Sequence, residues 1–455
     1  MKNLREMFQD KKFLKLVYSL AVPVALQNLL ASVLNTLDTT MISSLGDYAI
    51  SAVGLANQIF FFMTIICFGI ATGTSVMIAQ YNGKEDYEGV RKSHGMALML
   101  SLIVASIFTI LALAIPEQLM RIFTDDANVI PYGVTYLRVV SFSYILTAVN
   151  FIYSVSMRSI GNAKTPLVAS TFAFFGNAFF NYVFIFGKLG FPAMGVAGGA
   201  LGTILARILE FIVLYITLKK HRSPLTGKLK DFITFDSHFK KLYLKTAGPV
   251  ILNETFWSLG QIIYQIAYAK LGTRSVTALQ IGMTVQNIFF VLSRGLAGAC
   301  TVIVGNSIGA GDEDQAYRYG TWLLELSALT GLVLGALMII FRESFFVIFP
   351  NITPESKAIA ADLFITMGIA LFVKTHNSTL IVGIFRGGGD TRYSMALEMS
   401  CVWLIGVPLA FLGAVVLKLP LHYVYLMACG EEFAKAAIGL PRVISKKWIK
   451  NITNE

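Results

Sequence analysis

The chain has 455 residues, of which 55% are hydrophobic and only 14% are charged, and it carries a formal net charge of +11. Soluble domains have about 25% charged residues, so this composition excludes an ordinary soluble protein and indicates a polytopic membrane protein. The four cysteines include no CxxC pair and the five histidines no HExxH spacing, so we expect neither a disulfide framework nor a metal site.

Apolar runs separated by charged or Gly/Pro-rich breaks predict twelve membrane-spanning helices. In chain order they cover about 16–42, 49–80, 95–115, 134–157, 167–187, 196–218, 246–270, 277–308, 321–341, 358–384, 394–416 and 421–441. The charged N-terminal stretch precedes an apolar run that no small-residue cleavage site ends, so we expect this run to be retained as the first span.

The basic residues are distributed unevenly between the two sides of this predicted topology. With the N-terminus in the cytoplasm, the inward segments hold 25 of the 37 Lys and Arg residues and the outward connections hold seven. This imbalance predicts cytoplasmic termini and a multi-pass location in the inner or plasma membrane. It also accounts for the positive charge, so the lipid bilayer is the expected partner and nucleic acid is not.

An internal repeat divides the chain near its middle. Adding 226 to the sequence number places Pro23 on Pro249, Leu45-Gly46 on Leu271-Gly272, Ala52 on Ala278, Gly69 on Gly295, Val76 on Val302 and Gly83 on Gly309. We therefore predict a six-helix N-terminal bundle at 1–218, a basic cytoplasmic linker at 219–245, and a six-helix C-terminal bundle with a cytoplasmic tail at 246–455. Repeats of this kind are typical of transporters, with the substrate site between the halves.

No GxxxxGK[ST] nucleotide-binding loop occurs in the chain, so energy must come from an ion gradient or another subunit. A membrane-embedded enzyme would need a clustered nucleophile, base or metal set, and the sequence shows none, so we expect no enzymatic activity. A channel is a further alternative, but conduction through a channel would not couple protonation of a side chain to an ion gradient.

Several strings carry a family resemblance. They are NTLDTTMISSLG from Asn35, the SIGAGDED turn after the eighth span, the turns RSIGNAKT and RGGGDTRY, NAFFNYVFIFGKLGFPAMGVAGGALGT from Asn177, and a last helix with Glu431, Glu432 and Lys435 that ends in SKKW. Together they resemble the multidrug and toxic compound extrusion (MATE) family over nearly the whole chain. The resemblance implies an all-α integral membrane protein of twelve transmembrane helices, as two pseudo-symmetric six-helix bundles around a central cleft.

The resemblance also implies secondary active export of organic, often cationic compounds in exchange for H⁺ or Na⁺, by rocking-bundle alternating access. No cofactor other than the coupling ion is expected, and we expect a monomer. The alternative is a flippase or exporter of a lipid-linked oligosaccharide precursor, which would need a wide cationic cavity for phosphate.

Asp38 is the leading candidate for coupling. Gln27, Ala31, Asn35 and Asp38 recur at helical spacing and form a polar stripe on one face of the first span, which we expect to line a wet cleft. An ionised carboxylate in hydrocarbon is costly, so it must be paired, hydrated, protonated or functional. The first-span acid of the resembling family falls at this position. The alternative is an aspartate that only hydrogen-bonds neighbouring helices.

Glu254 is the second candidate and lies on the seventh span. The same face continues through Trp257, Gln261 and Tyr264, and the two aromatic rings could stack on a flat cation. A coupling role for Glu254 and a structural ion pair, for example with Arg294, both remain open.

Further polar groups fall where the resembling family supplies them. Asn177, Asn181 and Thr203 belong to the N-terminal half, where some members have Asp at the position of Asn181. Lys374, His376 and Asn377 lie in the middle of the tenth span, and the imidazole is a group that suits proton coupling. Their alternative role is interhelical hydrogen bonding or packing.

We predict structural roles for three other acids within the spans. Glu210 lies three residues after Arg207 and is predicted to form a local ion pair. Glu325 and Glu398 lie about a turn from the cytoplasmic helix ends, where they are predicted to snorkel or cap.

Overall fold

The computed structural model describes residues 2–220, 223–349 and 352–454, and within them the predicted all-α class is confirmed. The first half contains α1 (Lys2–Gln9), α2 (Lys11–Ser43), α3 (Asp47–Gly83), α4 (Tyr87–Ala114), α5 (Pro116–Arg121), α6 (Ile130–Val140), α7 (Phe142–Ser159), α8 (Lys164–Phe186), α9 (Gly195–Lys220) and α10 (Leu229–Ile233). Positions 221–222 of the predicted linker lie outside the described residues.

The second half contains α11 (Ser237–Ala269), α12 (Thr273–Gly309), α13 (Glu313–Ile340), α14 (Pro354–Ser378), α15 (Thr391–Cys401), α16 (Val407–Phe411), α17 (Leu421–Ala428) and α18 (Gly430–Ile444). Helix α14 continues through π-helical turns at Thr379–Arg386, and further π-helical turns at Val402–Gly406 and Leu412–Val416 flank α16. Single π turns within helices often occur at functional sites.

Each of the twelve predicted spans falls on helical chain. Among the described residues, nine helices are long and apolar enough to cross a membrane, and the pair α6 and α7, bent by 50°, makes a tenth. The other two predicted spans correspond to α11 and to α17 with α18. Helix α11 is less apolar because it carries polar side chains such as Glu254, whereas α17 and α18, with 8 and 15 residues, are each too short to span on their own.

The chain forms two compact units. The C-terminal unit comprises Met1–Ala25, Ala79–Glu85 and Leu244–Glu455, and the N-terminal unit comprises Leu26–Ile78 and Asp86–Tyr243. The N-terminal unit contains a core of buried apolar side chains that includes Ala52, Met63 and Tyr144. The core of the C-terminal unit includes Leu363 and Phe364. The start of the chain and the end of α3 therefore group with the second half.

Repeat-related positions adopt the same local structure. Asp86 caps the N-terminus of α4, where its Oδ1 accepts from the backbone N–H of Gly89 at 2.9 Å. Asp312 is its equivalent under the shift of 226 and caps α13 in the same way, accepting from the N–H of Gln315 at 2.9 Å. Such caps satisfy backbone donors that would otherwise have no partner.

The ends of α3 and α12 cross through glycines in a reciprocal contact. A Cβ at Gly83 would collide with the backbone of Asn306, and a Cβ at Gly309 would collide with the backbone of Gln80. Gly83 and Gly309 are equivalent under the shift of 226, as are Gln80 and Asn306, so each helix end makes the same contact with the other. Equivalent residues of the sequence repeat thus meet in a pair of matching contacts within the C-terminal unit.

Candidate functional site

Asp38 lies in a cluster of neutral polar groups in the N-terminal unit. Its Oδ1 accepts a hydrogen bond from Asn181 Nδ2 at 2.7 Å, and the same nitrogen donates to Asn177 Oδ1 at 2.9 Å. Asn177 Nδ2 lies 3.5 Å from Thr203 Oγ1. Asp38 is half-buried, and no Lys or Arg nitrogen in the described part of the chain lies within ion-pair distance of it. The stripe that begins at Gln27 therefore ends at a carboxylate that the amide of Asn181 holds.

The close packing of α8 and α9 places these groups together. Asn177 and Asn181 are one turn apart on α8, so both point toward α9. Gly198 lies against the backbone of Phe184, and a Cβ at Gly202 would collide with Asn181 Oδ1. The small residues of the VAGGALGT segment thus let the two helices approach closely enough for the amides to reach Asp38.

A second polar chain runs from Arg207 on α9 through α8 and α2 to Arg158 on α7. Arg207 Nη1 contacts Glu210 Oε2 at 2.7 Å, which confirms the predicted ion pair. Ser170 Oγ donates to Glu210 Oε1 at 3.1 Å and accepts from Gln27 Nε2 at 2.9 Å. Arg158 Nη1 donates to Gln27 Oε1 at 2.6 Å. Gln27 therefore belongs to this chain and not to the Asp38 cluster.

In the C-terminal unit, Glu254 is bound by an arginine that the sequence did not suggest as its partner. Arg386 Nη1 lies 2.5 Å from Glu254 Oε1, and Arg386 Nη2 lies 3.3 Å from Glu398 Oε2. Asn253 Nδ2 also donates to Glu398 Oε2 at 2.5 Å. The suggested partner Arg294 instead lies over the Phe290 ring at 5.7 Å. Arg386 is the partner because α11, the end of the α14 segment and α15 meet around it.

Glu398 and Glu325 do not have the snorkelling or capping roles that the sequence predicted for them. Glu398 does not reach toward the membrane surface, because it is held by Arg386 in the interior of the C-terminal unit. Glu325 Oε2 is buried, and it has no hydrogen-bond partner among the described residues.

The last helix brings two acids and a lysine into the interior. Lys435 Nζ lies 3.3 Å from Glu431 Oε1 and 3.3 Å from Glu432 Oε1, and only 2% of its surface is exposed. Tyr264 donates to Glu431 Oε2 at 2.7 Å, across a position where Gly406 leaves room for both side chains. Asp/Glu and Lys side chains at such depth are rarely found unless they are paired.

The three polar residues predicted on α14 lie beside this acid pair. Asn377 Nδ2 donates to Glu432 Oε2 at 2.8 Å, and His376 Nδ1 lies 3.2 Å from Asn377 Oδ1. Lys374 Nζ donates to the Tyr425 hydroxyl at 2.6 Å and lies 4.8 Å from the centroid of its ring. Tyr425 also exchanges a hydrogen bond with Gln286. Tyr264, Asn377, His376 and Lys374 thus form one polar region in the C-terminal unit.

Three predicted residues lie outside these hydrogen-bonded clusters. Asn35 is exposed one turn before Asp38, Trp257 is 39% exposed, and Gln261 is half-buried. The residues that sequence reasoning did not select as site residues are Arg386, Glu398, Tyr425, Gln286, Glu431, Glu432 and Lys435. A signal existed for the last three, since acids spaced three and four residues from a lysine form pairs on a helix.

The charge balance separates Asp38 from the other interior acids of these clusters. Glu210, Glu254, Glu398, Glu431 and Glu432 each contact a guanidinium or an ammonium group. Among the described residues, the amide of Asn181 is the one side-chain hydrogen-bond partner of Asp38. A carboxylate whose neighbours are neutral hydrogen-bonding groups can accept a proton, a metal ion or an organic cation without displacing a resident cation.

The two halves of the chain match one family model. A model described as MatE matches residues 23–183 and 249–412. The two matched stretches begin at Pro23 and Pro249, which are equivalent positions of the internal repeat.

Curated relatives match almost the whole chain. "Uncharacterized transporter YisQ" of Bacillus subtilis is 27% identical over 449 residues, which is 97% of this chain and 96% of the relative. "Probable multidrug resistance protein NorM" of Thermotoga maritima is 26% identical over 441 residues, which is 96% of this chain and 93% of the relative.

Solved structures share the fold. "Crystal structure of MATE in the bent conformation" has a TM-score of 0.86 at 21% identity and covers 98% of both chains. "Outward-facing conformation of a multidrug resistance MATE family transporter of the MOP superfamily" has a TM-score of 0.85 at 21% identity and covers 95% of this chain and 96% of the other. The predicted twelve-helix transporter fold is confirmed.

Proposed function

Because this chain belongs to the MatE family, and is therefore a multi-pass membrane transporter and not an enzyme, we propose that it exports small organic cations from the cell in exchange for H⁺ or Na⁺. The names of its relatives support drug-like substrates, since several are called multidrug resistance proteins. The distribution of basic residues supports a plasma-membrane location with both termini in the cytoplasm.

One observation carries this proposal: Asp38 is an ionisable group inside a membrane helix, and its hydrogen-bond partner is the neutral amide of Asn181. Such a carboxylate can hold one positive charge at a time, either the coupling ion or the substrate cation. Binding of the ion would then displace the substrate, which is the competition that an antiporter requires. Asn181, Asn177 and Thr203 would position the carboxylate and supply oxygen atoms to the bound cation.

The internal repeat supports an alternating-access mechanism. We propose that the two six-helix bundles rock relative to each other during transport, as in other transporters built from repeats. A ligand can shift such an equilibrium only by its difference in affinity for the two states, and the charge on Asp38 provides that difference.

The test is export of a fluorescent cation such as ethidium from proteoliposomes under an imposed pH or Na⁺ gradient. Asp38→Asn retains an oxygen that can accept from Asn181, so we expect it to fold normally and to export at the rate of protein-free liposomes. Asp47→Asn is the matched control, because Asp47 is an exposed acid at the start of α3. Export by Asp38→Asn at the wild-type rate under either gradient would refute the proposal, and the gradient that drives the wild type identifies the ion.

A further inference from the structure

Arg207 lies on α9 between the Asp38 cluster and Glu210. Thr203, which belongs to the Asp38 cluster, is one turn before Arg207, and Glu210 is about one turn after it. The guanidinium uses Nη1 to contact Glu210 at 2.7 Å, while its Nε is buried with no hydrogen-bond partner among the described residues. One half-buried cation thus contacts Glu210 on one side and lies one helical turn from Thr203 of the Asp38 cluster on the other.

Glu210 is held in place from three helices. Its own helix contributes Arg207, α7 contributes Asn150, whose Nδ2 lies 3.3 Å from Glu210 Oε2, and α8 contributes Ser170 at 3.1 Å from Oε1. The same Asn150 nitrogen donates to the backbone oxygen of Arg207 at 2.8 Å. Only 4% of Glu210 is exposed. This carboxylate is therefore a fixed acceptor for the guanidinium.

Among the described residues, the neighbouring helices contribute the charged or titratable groups Asp38, Arg158 and Tyr136. Arg158 on α7 donates to Gln27 at 2.6 Å, and Tyr136 on α6 donates to Asn57 Oδ1 at 3.3 Å. Helix α8 contributes the neutral groups Ser170, Asn177 and Asn181. With Glu210 uncharged, Arg207 would be an intramembrane cation without a carboxylate contact, which is costly in a membrane interior.

We propose that Glu210 is a positioning residue that retains the guanidinium of Arg207 and thereby keeps Asp38 open to the transported cations. If Glu210 loses its charge, the guanidinium turns toward Asp38, the carboxylate on the other side of Thr203. The resulting ion pair excludes both the coupling ion and a cationic substrate. This inference rests on the proposed role of Asp38.

The test compares Glu210→Gln with the charge-balanced double variant Glu210→Gln/Arg207→Gln in the proteoliposome assay. We expect Glu210→Gln to raise the KM for the organic cation by about 10- to 100-fold, because a charge-assisted hydrogen bond between Arg207 and Asp38 must first break. Vmax per folded transporter should remain near that of the wild type. The double variant removes the competing guanidinium and should recover most of the affinity. A purely structural pair would instead lower the thermal stability of Glu210→Gln and leave its KM unchanged.

Glu117→Gln is the matched control, because Glu117 forms an exposed Glu–Arg pair with Arg121 at 2.8 Å and should leave KM unchanged. An unchanged KM in Glu210→Gln, or a double variant as impaired as the single one, would overturn the inference. If Glu210→Gln does not fold, the double variant decides alone, and loss of its cation affinity rejects the idea. Normal export by Asp38→Asn would refute the proposed function itself, whereas loss in Asp38→Asn with normal Glu210→Gln would refute only the role of Glu210.

Discussion

Asn181 holds its position beside Asp38 because a glycine faces it on the neighbouring helix. Its amide is 2% exposed, donates to two oxygens through Nδ2, and has its Oδ1 packed against Gly202. Any larger residue at position 202 would occupy the space of that amide. The cluster around Asp38 thus depends on a residue that contributes no functional group.

We therefore expect Gly202→Ala to displace the Asn181 amide from Asp38 and to weaken cation binding. One lost hydrogen bond to a charged group corresponds to about 10- to 100-fold in the KM of a cationic substrate. The measurement is transport kinetics in proteoliposomes, together with a thermal-shift assay that reports folding. Gly54→Ala is the control, since a Cβ there meets no neighbour within 4 Å. An unchanged KM in Gly202→Ala would show that the Asn181 contact is not needed.

At the scale of elements, repeat-related residues of α3 and α12 contact each other where the two helix ends cross. Ala79 and Gly305 face each other there, and they too are related by the shift of 226. The glycine at each helix end packs against the backbone of the other helix. A Cβ added there would collide with backbone atoms, so rotation of neighbouring side chains could not remove the collision. Close approach of backbones through small residues is the usual way in which membrane helices gain packing energy.

Alanine at either crossing glycine should accordingly destabilise the protein. For Gly83→Ala and Gly309→Ala we expect a loss of about 1–3 kcal/mol, the usual cost of overpacking. Gly298→Ala lies on the same helix as Gly309, meets no neighbour within 4 Å, and should be neutral or slightly stabilising. Thermal unfolding in detergent measures the difference, and equal stability of Gly309→Ala and Gly298→Ala would contradict it.

At the scale of the whole molecule, charge predicts which side of the membrane each connection occupies. The C-terminal tail agrees with that assignment, because Lys450 N donates to Gly388 O at 2.8 Å and Ile452 N donates to Gln80 Oε1 at 2.9 Å. The end of α3, the turn after α14 and the tail are therefore on one side, as the distribution of basic residues requires.

Cysteine accessibility tests the absolute orientation. The four native cysteines are buried, so single exposed cysteines can be introduced on this background. A membrane-impermeant maleimide should label Ala127→Cys on intact cells, because residues 116–133 are predicted to be outside. It should label Ser237→Cys only after permeabilisation. Labelling of Ser237→Cys on intact cells would mean that the topology is inverted.

Much of the fold of this protein could be predicted from local sequence patterns. Apolar runs and the shift of 226 were sufficient for the helical class, the twelve spans and the repeat, since hydrophobic length and spacing are properties of short stretches of chain. The Arg207–Glu210 pair was predictable for the same reason, because a spacing of three on one helix fixes its geometry. The stripe that ends at Asp38 was also visible in the sequence.

Long-range partners were not predictable in this way. Glu254 binds Arg386 and not Arg294, Gln27 belongs to a different network from Asp38, and Glu398 is held in the interior. In each case the partner lies far away in sequence, and helix packing decides which of several compatible donors arrives within hydrogen-bond distance. The chain contains many possible partners for each polar group. Burial makes an unpaired charge costly, but it can select among these partners only once the helices are assembled.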